Sequence, residues 1–285
     1  MAQSLWSYRP ATEWKEGYPI GNGPLAAMVM ASPQGDRFLL NHEWLWRATG
    51  RFREREPSHQ RLAEIRALFF AGKHQEAGDL ANAVFGGGGG IIQKAQPHRV
   101  SPYQPAGELV LGHAQAPQEA FRRELDLELA QVAAEQGAPG SRWTRRALFP
   151  LDQPYLALRL AADTPAGLSL TVQLQRLADP ECDLCYQSRP DGGCVMQGRF
   201  TEGSCFVIAS QCWLPDGGQL TPLPAGAGYT VQGAPSLEIR LTVTVEHDGG
   251  DPLPRALAIL SAARQPYADC QRHQRQTFTP LINRC

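Results

Sequence analysis

The sequence predicts an all-β fold in which short antiparallel strands form a large sandwich. From residue 108 onward, short apolar or alternating segments are separated by turns that contain Gly or Pro, a spacing that is typical of sandwiches. Residues 237–245 alternate strictly between apolar and polar side chains, which predicts a half-buried antiparallel strand. No repeating strand–helix–strand order is present, and the 42% of hydrophobic residues suffice to fill one core.

The first elements predicted are a β-hairpin and two helices. Residues 1–24 read as irregular because they are rich in Trp, Pro and Gly. Residues 25–30 and 37–40 predict two strands joined by the turn 33–36. A helix over 58–71, with Ser58 as its N-cap and Gly72 as its stop, and a second over 73–84 form a short insertion.

Five glycines at 86–90 follow the predicted helices and indicate a flexible loop tip, because glycine does not hold one backbone conformation cheaply. A phosphate-binding loop would need Gly-Lys-Ser/Thr at the start of a helix, and the glycines lack that context. The remaining strands are predicted over 108–111, 121–126, 130–135, 143–149, 155–161, 168–174, 194–200, 206–212, 229–232 and 237–245.

A change from strand to helix near residue 250 marks the predicted domain boundary. Residues 1–250 are assigned to the sandwich and 251–285 to a helical segment, with helices over 255–260 and 267–284. The formal net charge of −1 favours neither nucleic acid nor a membrane surface as a partner. No signal peptide and no run of about 18 apolar residues is visible. A cytoplasmic location is the resulting expectation.

Seven cysteines include one C-x-x-C pair, Cys182 and Cys185. Zinc modules usually add a second close pair or two closely spaced histidines. Neither is present, so we predict free thiols, partly buried in strands, with no metal site and no cofactor.

The segment Gly21-Asn22-Gly23-Pro24-Leu25-Ala26 fits the dinucleotide-binding pattern G-x-G-x-x-A. The sequence predicts neither a strand before it nor a helix after it, and Pro24 lacks the amide that a pyrophosphate would need. We therefore interpret it as a tight loop and not as a nucleotide site.

Cleavage of a glycosidic bond usually needs two carboxyl groups on opposite sides of the bond. The early carboxylates are Glu13, Glu16, Glu43 and Glu108. Their spacing validates no pair, so no catalytic residue is predicted. The early tryptophans are Trp6, Trp14, Trp44 and Trp46. Each can stack on a sugar ring or, alternatively, fill the core.

Two motifs carry a family resemblance: WKEGYPIGNGPLAAMV at 14–29 and LNHEWLW at 40–46. Further matches follow in the same order at 64–73, 103–109, 121–127 and 143–149. Together they resemble the amino-terminal domain of the family-95 glycoside hydrolases, the α-L-fucosidase family. The departures from the family pattern are Pro24, Ala26 and His42-Glu43-Trp44. They indicate a divergent sugar preference.

The resemblance implies a large antiparallel β-super-sandwich, followed by a helical linker and a catalytic (α/α)6 barrel that these 285 residues lack. In that family the barrel carries the inverting chemistry. The chain alone is therefore expected to be inactive and to pack on such a barrel in the same polypeptide. The implied ligand is a fucosylated or related glycan. Candidate sugar contacts are Asn22, Asn41, Glu43 and Trp46, unless these residues only cap the hairpin and bury its loop.

Two alternatives stay open at this point. The chain could be a stand-alone carbohydrate-binding or scaffold sandwich without catalysis. It could also be a truncated relic, whose apolar surface would then be left exposed and would promote association.

Overall fold

A computed structural model describes residues 3–47, 58–85, 103–113, 119–201, 203–224, 226–247 and 249–284. The chain forms two compact units, one from Met1–Leu45 with Gln104–Cys285 and the other from Trp46–Tyr103. The glycine loop predicted at 86–90 lies outside the described residues.

The larger unit is a β-sandwich of two antiparallel sheets, which confirms the predicted fold class. Its described residues form sixteen strands. The nine-stranded sheet has, in spatial order, β1 (Ser4–Ser7), β6 (Arg122–Asp126), β7 (Gln131–Gln136), β8 (Trp143–Leu148), β9 (Leu156–Ala162), β16 (Ser236–Glu246), β13 (Cys205–Trp213), β12 (Gly193–Phe200) and β11 (Cys182–Ser188). The seven-stranded sheet has β14 (Gln219–Pro222), β15 (Ala227–Ala234), β10 (Leu168–Gln175), β5 (Gly107–Gly112), β4 (Gly35–His42), β3 (Leu25–Val29) and β2 (Tyr18–Gly21).

The main core lies between the two sheets and is built by alternation along each strand. In β10, burial alternates residue by residue, so that Leu168, Leu170, Val172 and Leu174 point inward. The same alternation of apolar and polar residues is visible in the sequence of the strand predicted over 168–174.

Strand β16 corrects one prediction. It was expected to be half-buried, but both of its faces are buried over Ser236–Val245. The polar residues of the outer face are covered and hydrogen-bonded: Thr242 Oγ1 donates to the Pro154 carbonyl at 2.7 Å, and Thr244 Oγ1 donates to the Pro252 carbonyl at 2.9 Å. Alternation shows which residues share a face, and it does not show whether another element covers that face.

The covering elements are the C-terminal helices α3 (Leu253–Ala262), α4 (Tyr267–Thr277) and α5 (Thr279–Ile282). Two small apolar clusters fix α3 and α4 on the outer face of the nine-stranded sheet. One joins Ala256 and Leu260 to Val195, Val207 and Ala209, and the other joins Tyr267 and Cys270 to Leu148, Tyr155 and Ala157. The predicted helical segment therefore exists and packs back on the sandwich, while the division at residue 250 stays a prediction.

Four strands were not predicted. Residues 1–24 were wrongly interpreted as irregular, since they contain β1 and β2, and β11 and β14 were missed as well. All four lie at the edges of their sheets. Edge strands are short, polar or exposed and lack the apolar alternation on which a sequence prediction relies.

The smaller unit contains the two predicted helices, α1 (Leu62–Phe70) and α2 (His74–Phe85). Gly72 follows α1 with a φ of +75°, as a glycine stop requires. Ser58 is not the predicted N-cap, because it lies in a 3-10 turn and its hydroxyl donates to the Val84 carbonyl. No helix among the described residues is long and apolar enough to span a bilayer.

Candidate functional site

The two sequence motifs meet at one end of the sandwich. In the β3–β4 hairpin, Ala26 pairs with Asn41 and Leu25 pairs with His42. The Glu43 amide then donates to the Pro24 carbonyl at 2.9 Å. The β2–β3 loop and the end of β4 are therefore neighbours. We call this region, formed by residues 21–25, 41–44, 150–153 and 246–247, the motif end.

Asn22 holds the motif end together. Its amide nitrogen donates to the carbonyls of Pro150 at 3.1 Å and Gln153 at 2.7 Å, and its Oδ1 accepts from the Leu25 amide at 3.2 Å. Both N–H donors of the side chain are used in this way. Asn22 therefore fixes the β2–β3 loop to the β8–β9 loop, and only its oxygen retains the capacity to accept another hydrogen bond.

The loop that Asn22 holds is itself connected to the C-terminal helices. The Leu151 amide donates to Gln274 Oε1 at 2.9 Å, and His273 Nε2 lies 2.6 Å from Asp152 Oδ1. The motif end and α4 are thus joined through the 150–153 loop. No local sequence pattern predicts this link, because the partners are more than 100 positions apart.

Trp44 is the most exposed aromatic residue of the motif end, with 62% of its surface accessible. Two imidazoles hold its main chain. Its amide donates to His42 Nδ1 at 3.1 Å, and its carbonyl lies 2.8 Å from Nε2 of His247. Since a carbonyl only accepts, His247 Nε2 is the donor. The indole is therefore presented to solvent on a fixed backbone.

His42 must be neutral to accept the Trp44 amide through Nδ1. Burial, then the charges of Arg255 and His247, lower the pKa of His42 from 6.5 to about 4. The imidazole is thus uncharged near neutral pH, in agreement with the hydrogen bond.

The other three predicted sugar contacts are Asn41, Glu43 and Trp46. Asn41 is half-buried in β4, with no hydrogen bond from its side chain within the described residues, and Glu43 is exposed beside Trp44. Trp46 belongs to the smaller unit, where it pairs with Tyr103 edge to face at 5.2 Å. Asn22, Asn41 and Glu43 are brought together, and the role of all four residues in sugar binding stays a prediction.

The other early carboxylates are used locally. Glu13 pairs with Lys15 at 2.7 Å, Glu16 accepts from the amide and hydroxyl of Thr12, and Glu108 pairs with Arg37. Hydrogen bonds from Thr12 lower the pKa of Glu16. The Arg37 guanidinium and the Gln175 amide lower the pKa of Glu108, although its burial acts in the opposite direction.

A general acid of a glycoside hydrolase needs a raised carboxyl pKa. Every carboxyl group with a resolved shift in the described part of the chain has a lowered one. None of these five carboxyl groups has the raised pKa of such an acid.

The C-x-x-C pair cannot form two ligands of one metal. Both cysteines lie in β11, where residues three apart point to opposite faces. Cys182 is buried in the core and Cys185 is exposed. None of the cysteines of the described residues is in a disulfide bond, and no cluster of three or more His, Cys, Asp or Glu suited to a metal occurs among those residues.

The Gly21–Ala26 segment is a tight loop, but the prediction that no strand precedes it was wrong. A strand, β2, does precede it. The element that follows is strand β3 and not a helix, so no helix N-terminus is available for a pyrophosphate.

The chain is similar to a curated protein and to a solved structure. Alpha-L-fucosidase 2 of Arabidopsis thaliana is 24% identical over 237 residues, which cover 82% of this chain and 26% of that protein. The chain thus spans about a quarter of the length of this curated relative. A solved structure described as a kojibiose phosphorylase from the human microbiome has a TM-score of 0.38 and 13% identity, over 60% of this chain and 25% of that chain.

A family model described as glycosyl hydrolase family 65, N-terminal domain, matches residues 5–249. The match covers the sandwich from β1 to the end of β16. The chain therefore belongs to the family of glycosyl hydrolase family 65 N-terminal domains.

Proposed function

We propose that this domain contributes to sugar recognition in an inverting glycoside hydrolase of the family-95, α-L-fucosidase type, and packs on a catalytic (α/α)6 barrel of the same polypeptide. The motif end faces the sugar site in this proposal. The motif resemblance at 14–29 and 40–46 and the relative named alpha-L-fucosidase 2 support a fucosylated or related glycan as ligand.

The observation that carries the proposal is the presentation of Trp44. Burying an indole stabilises a fold, so an exposed one on a backbone held by two imidazoles suits binding better than packing. The apolar face of a pyranose can stack on the indole, and the neighbouring Glu43 carboxylate can accept hydrogen bonds from sugar hydroxyls.

The proposal gives the residues of the motif end different tasks. Asn22 positions the loops, while Asn41, Glu43 and Trp44 contact the sugar. Catalysis belongs to the barrel in this proposal, as it does in the family that the motifs resemble. A cytoplasmic location is also part of the proposal, and the free thiols support it because reducing compartments preserve them.

Kinetics of the polypeptide that carries both this domain and a barrel test the proposal. With an aryl α-L-fucoside, Trp44→Ala is expected to raise KM about tenfold with little change in kcat, because it removes stacking that is present before and during the reaction. Glu43→Gln is expected to retain turnover within about tenfold, whereas loss of a catalytic carboxyl group costs several orders of magnitude.

The matched control is Trp14→Ala. Trp14 has a similarly exposed indole (66%) and lies just before β2, at the opposite end of that strand from the motif end. It is expected to leave both kinetic constants unchanged. Equal effects of Trp14→Ala and Trp44→Ala, or loss of turnover in Glu43→Gln, would contradict the proposal.

The alternative is a carbohydrate-binding module that acts without a barrel. The exposed Trp6 and Tyr8, which contact each other edge to face at 5.2 Å on β1 and just after it, favour this second candidate. Micromolar binding of a fucosylated oligosaccharide by the 285-residue protein, lost in Trp6→Ala and kept in Trp44→Ala, would favour the module over the enzyme domain.

A further inference from the structure

A polar cavity lies away from the motif end. It has a volume of about 540 Å³ and opens on the outer face of the nine-stranded sheet, between the β12–β13 hairpin and α3. We call it the outer-face cleft and define it by Arg189, Asp191, Gln211, Trp213, Ser261 and Arg264. Trp213 of the cleft and Cys205 lie at opposite ends of β13, and Cys205 pairs with Glu246 of the motif end. Eight strand steps of about 3.3 Å separate Trp213 from Cys205.

Polar side chains converge over a glycine at one wall of the cleft. A Cβ atom on Gly193 would lie 3.0 Å from Asp191 Oδ1 and 3.0 Å from Gln211 Oε1, and 3.3 Å from Cδ of Arg189. Arg189 Nε is 3.5 Å from Asp191 Oδ1. The absence of a side chain at Gly193 is what allows these groups to approach each other.

Trp213 forms the aromatic part of the cleft and is held from beneath. The buried guanidinium of Arg240 lies 5.6 Å from the centre of its ring. Arg240 is fixed in turn by the Glu238 carboxylate at 3.1 Å and by the Gln265 carbonyl. The indole is therefore ordered before any ligand arrives, which reduces the entropy lost on binding.

The opposite wall belongs to α3 and the residues just after it. Arg264 is exposed and has no hydrogen bond, ion pair or ring contact among the described residues. The two arginines of the cleft, Arg189 and Arg264, outnumber its one carboxylate, Asp191, so the cleft has a net positive charge. An unpaired guanidinium presents a planar fork of donors that matches a carboxylate.

We propose that the outer-face cleft binds an acidic saccharide, with a pyranose ring against Trp213 and its carboxylate on Arg264. The volume is that of a small-molecule site. An indole beside amide, carboxylate and guanidinium groups can serve both the apolar face and the hydroxyl groups of a sugar ring. This site is separate from the proposed sugar site at the motif end and does not depend on it.

Calorimetric titration of the 285-residue protein with trigalacturonate tests the proposal. We expect binding that weakens at least about tenfold in Arg264→Ala, because a charge-assisted hydrogen-bonded pair is lost. Trp213→Ala is expected to weaken it to a similar degree. Arg275→Ala is the control, since it removes an exposed arginine of α4 outside the cleft, and it should bind like the unmodified protein.

Two further titrations identify the ligand class. Maltotriose supplies neutral rings, and sodium sulfate supplies an anion without a ring, so both are expected to bind much more weakly than trigalacturonate. Equal binding of maltotriose or of sulfate, or trigalacturonate binding that is unchanged in Arg264→Ala, overturns the proposal. If Trp213→Ala fails to fold, Arg264→Ala carries the test, because Arg264 lies on the surface.

Discussion

The motif end and the outer-face cleft each present a tryptophan, but the fold holds the two indoles in different ways. Trp44 is fixed through its main chain by His42 and His247, and its ring is free in solvent. Trp213 is fixed through its ring, which lies over the buried Arg240. The first arrangement depends on the protonation state of His42, whereas the second depends on an ion pair that is part of the core.

Because of this difference, substitutions near Trp44 report on function, whereas substitutions beneath Trp213 report on folding. Groups beneath Trp213 belong to the packing between β16 and α4, since Glu238 also accepts from the Tyr267 amide at 2.9 Å. Groups around Trp44 lie at the rim of the sandwich. Changes beneath Trp213 should therefore cost stability, and changes at Trp44 should not.

The largest effect is expected for Arg240→Met. The substitution leaves the Glu238 carboxylate buried without its guanidinium partner, and breaking such a pair costs about 3–5 kcal/mol in the free energy of unfolding. Urea denaturation measures the loss. The double variant Arg240→Met/Glu238→Gln should recover part of it, and a loss below about 1 kcal/mol in the single variant would show that the pair is not a core element.

The next effect is expected for Asn22→Ala. Two hydrogen bonds that tie the β2–β3 loop to the β8–β9 loop are lost, together with one inside the β2–β3 loop, which should lower the free energy of unfolding by about 2 kcal/mol. Asn41→Ala at the same end is the matched control, because its amide has no such bonds, and it should cost less than about 0.5 kcal/mol. Equal losses in the two variants would remove Asn22 from its positioning role.

A smaller effect is expected from His42 as pH falls. The unfolded chain takes up the proton near pH 6.5 and the folded chain only near pH 4, so the free energy of unfolding decreases through this window and is unaffected above it. We expect a contribution of about 1 kcal/mol at pH 4.5, because solvent reaches part of the ring.

His42→Asn tests this contribution, since Asn keeps an acceptor for the Trp44 amide and does not titrate. The variant should match the unmodified protein at pH 7 and lose less stability at pH 4.5. The buried His113, whose pKa is also lowered to about 4, titrates in both proteins and is therefore cancelled by the comparison. Identical pH profiles would exclude His42 as a titrating support of Trp44.

The smallest effect is expected for Trp44→Ala. Most of the indole is already exposed, so the free energy of unfolding should change by less than about 0.5 kcal/mol. Thermal or chemical denaturation measures this, with Trp14→Ala as the comparison. A loss above about 2 kcal/mol would mean that Trp44 is a packing residue.

The sequence predicted the sandwich because its inner strands, such as β10, alternate in hydrophobicity, and it identified the motifs at 14–29 and 40–46 without establishing that they meet. It did not predict the partners of Asn22, which lie 128 and 131 positions away, or the contact of His247 with Trp44, 203 positions away. Such long-range hydrogen bonds leave no local pattern, and exposed edge strands leave a weak one. The outer-face cleft was missed for the same reason, because α3 and β13 meet only in the fold.

In our proposal the motif end recognises a sugar and does not cleave it. Titration of the 285-residue protein, with ¹⁵N-labelled indoles, against millimolar methyl α-L-fucopyranoside tests both parts in one NMR series. We expect the Trp44 indole signal, assigned with Trp44→Phe, to shift with ligand concentration. We also expect that no methanol or fucose is released. A stationary Trp44 signal, or release of methanol that Glu43→Gln abolishes, would contradict it.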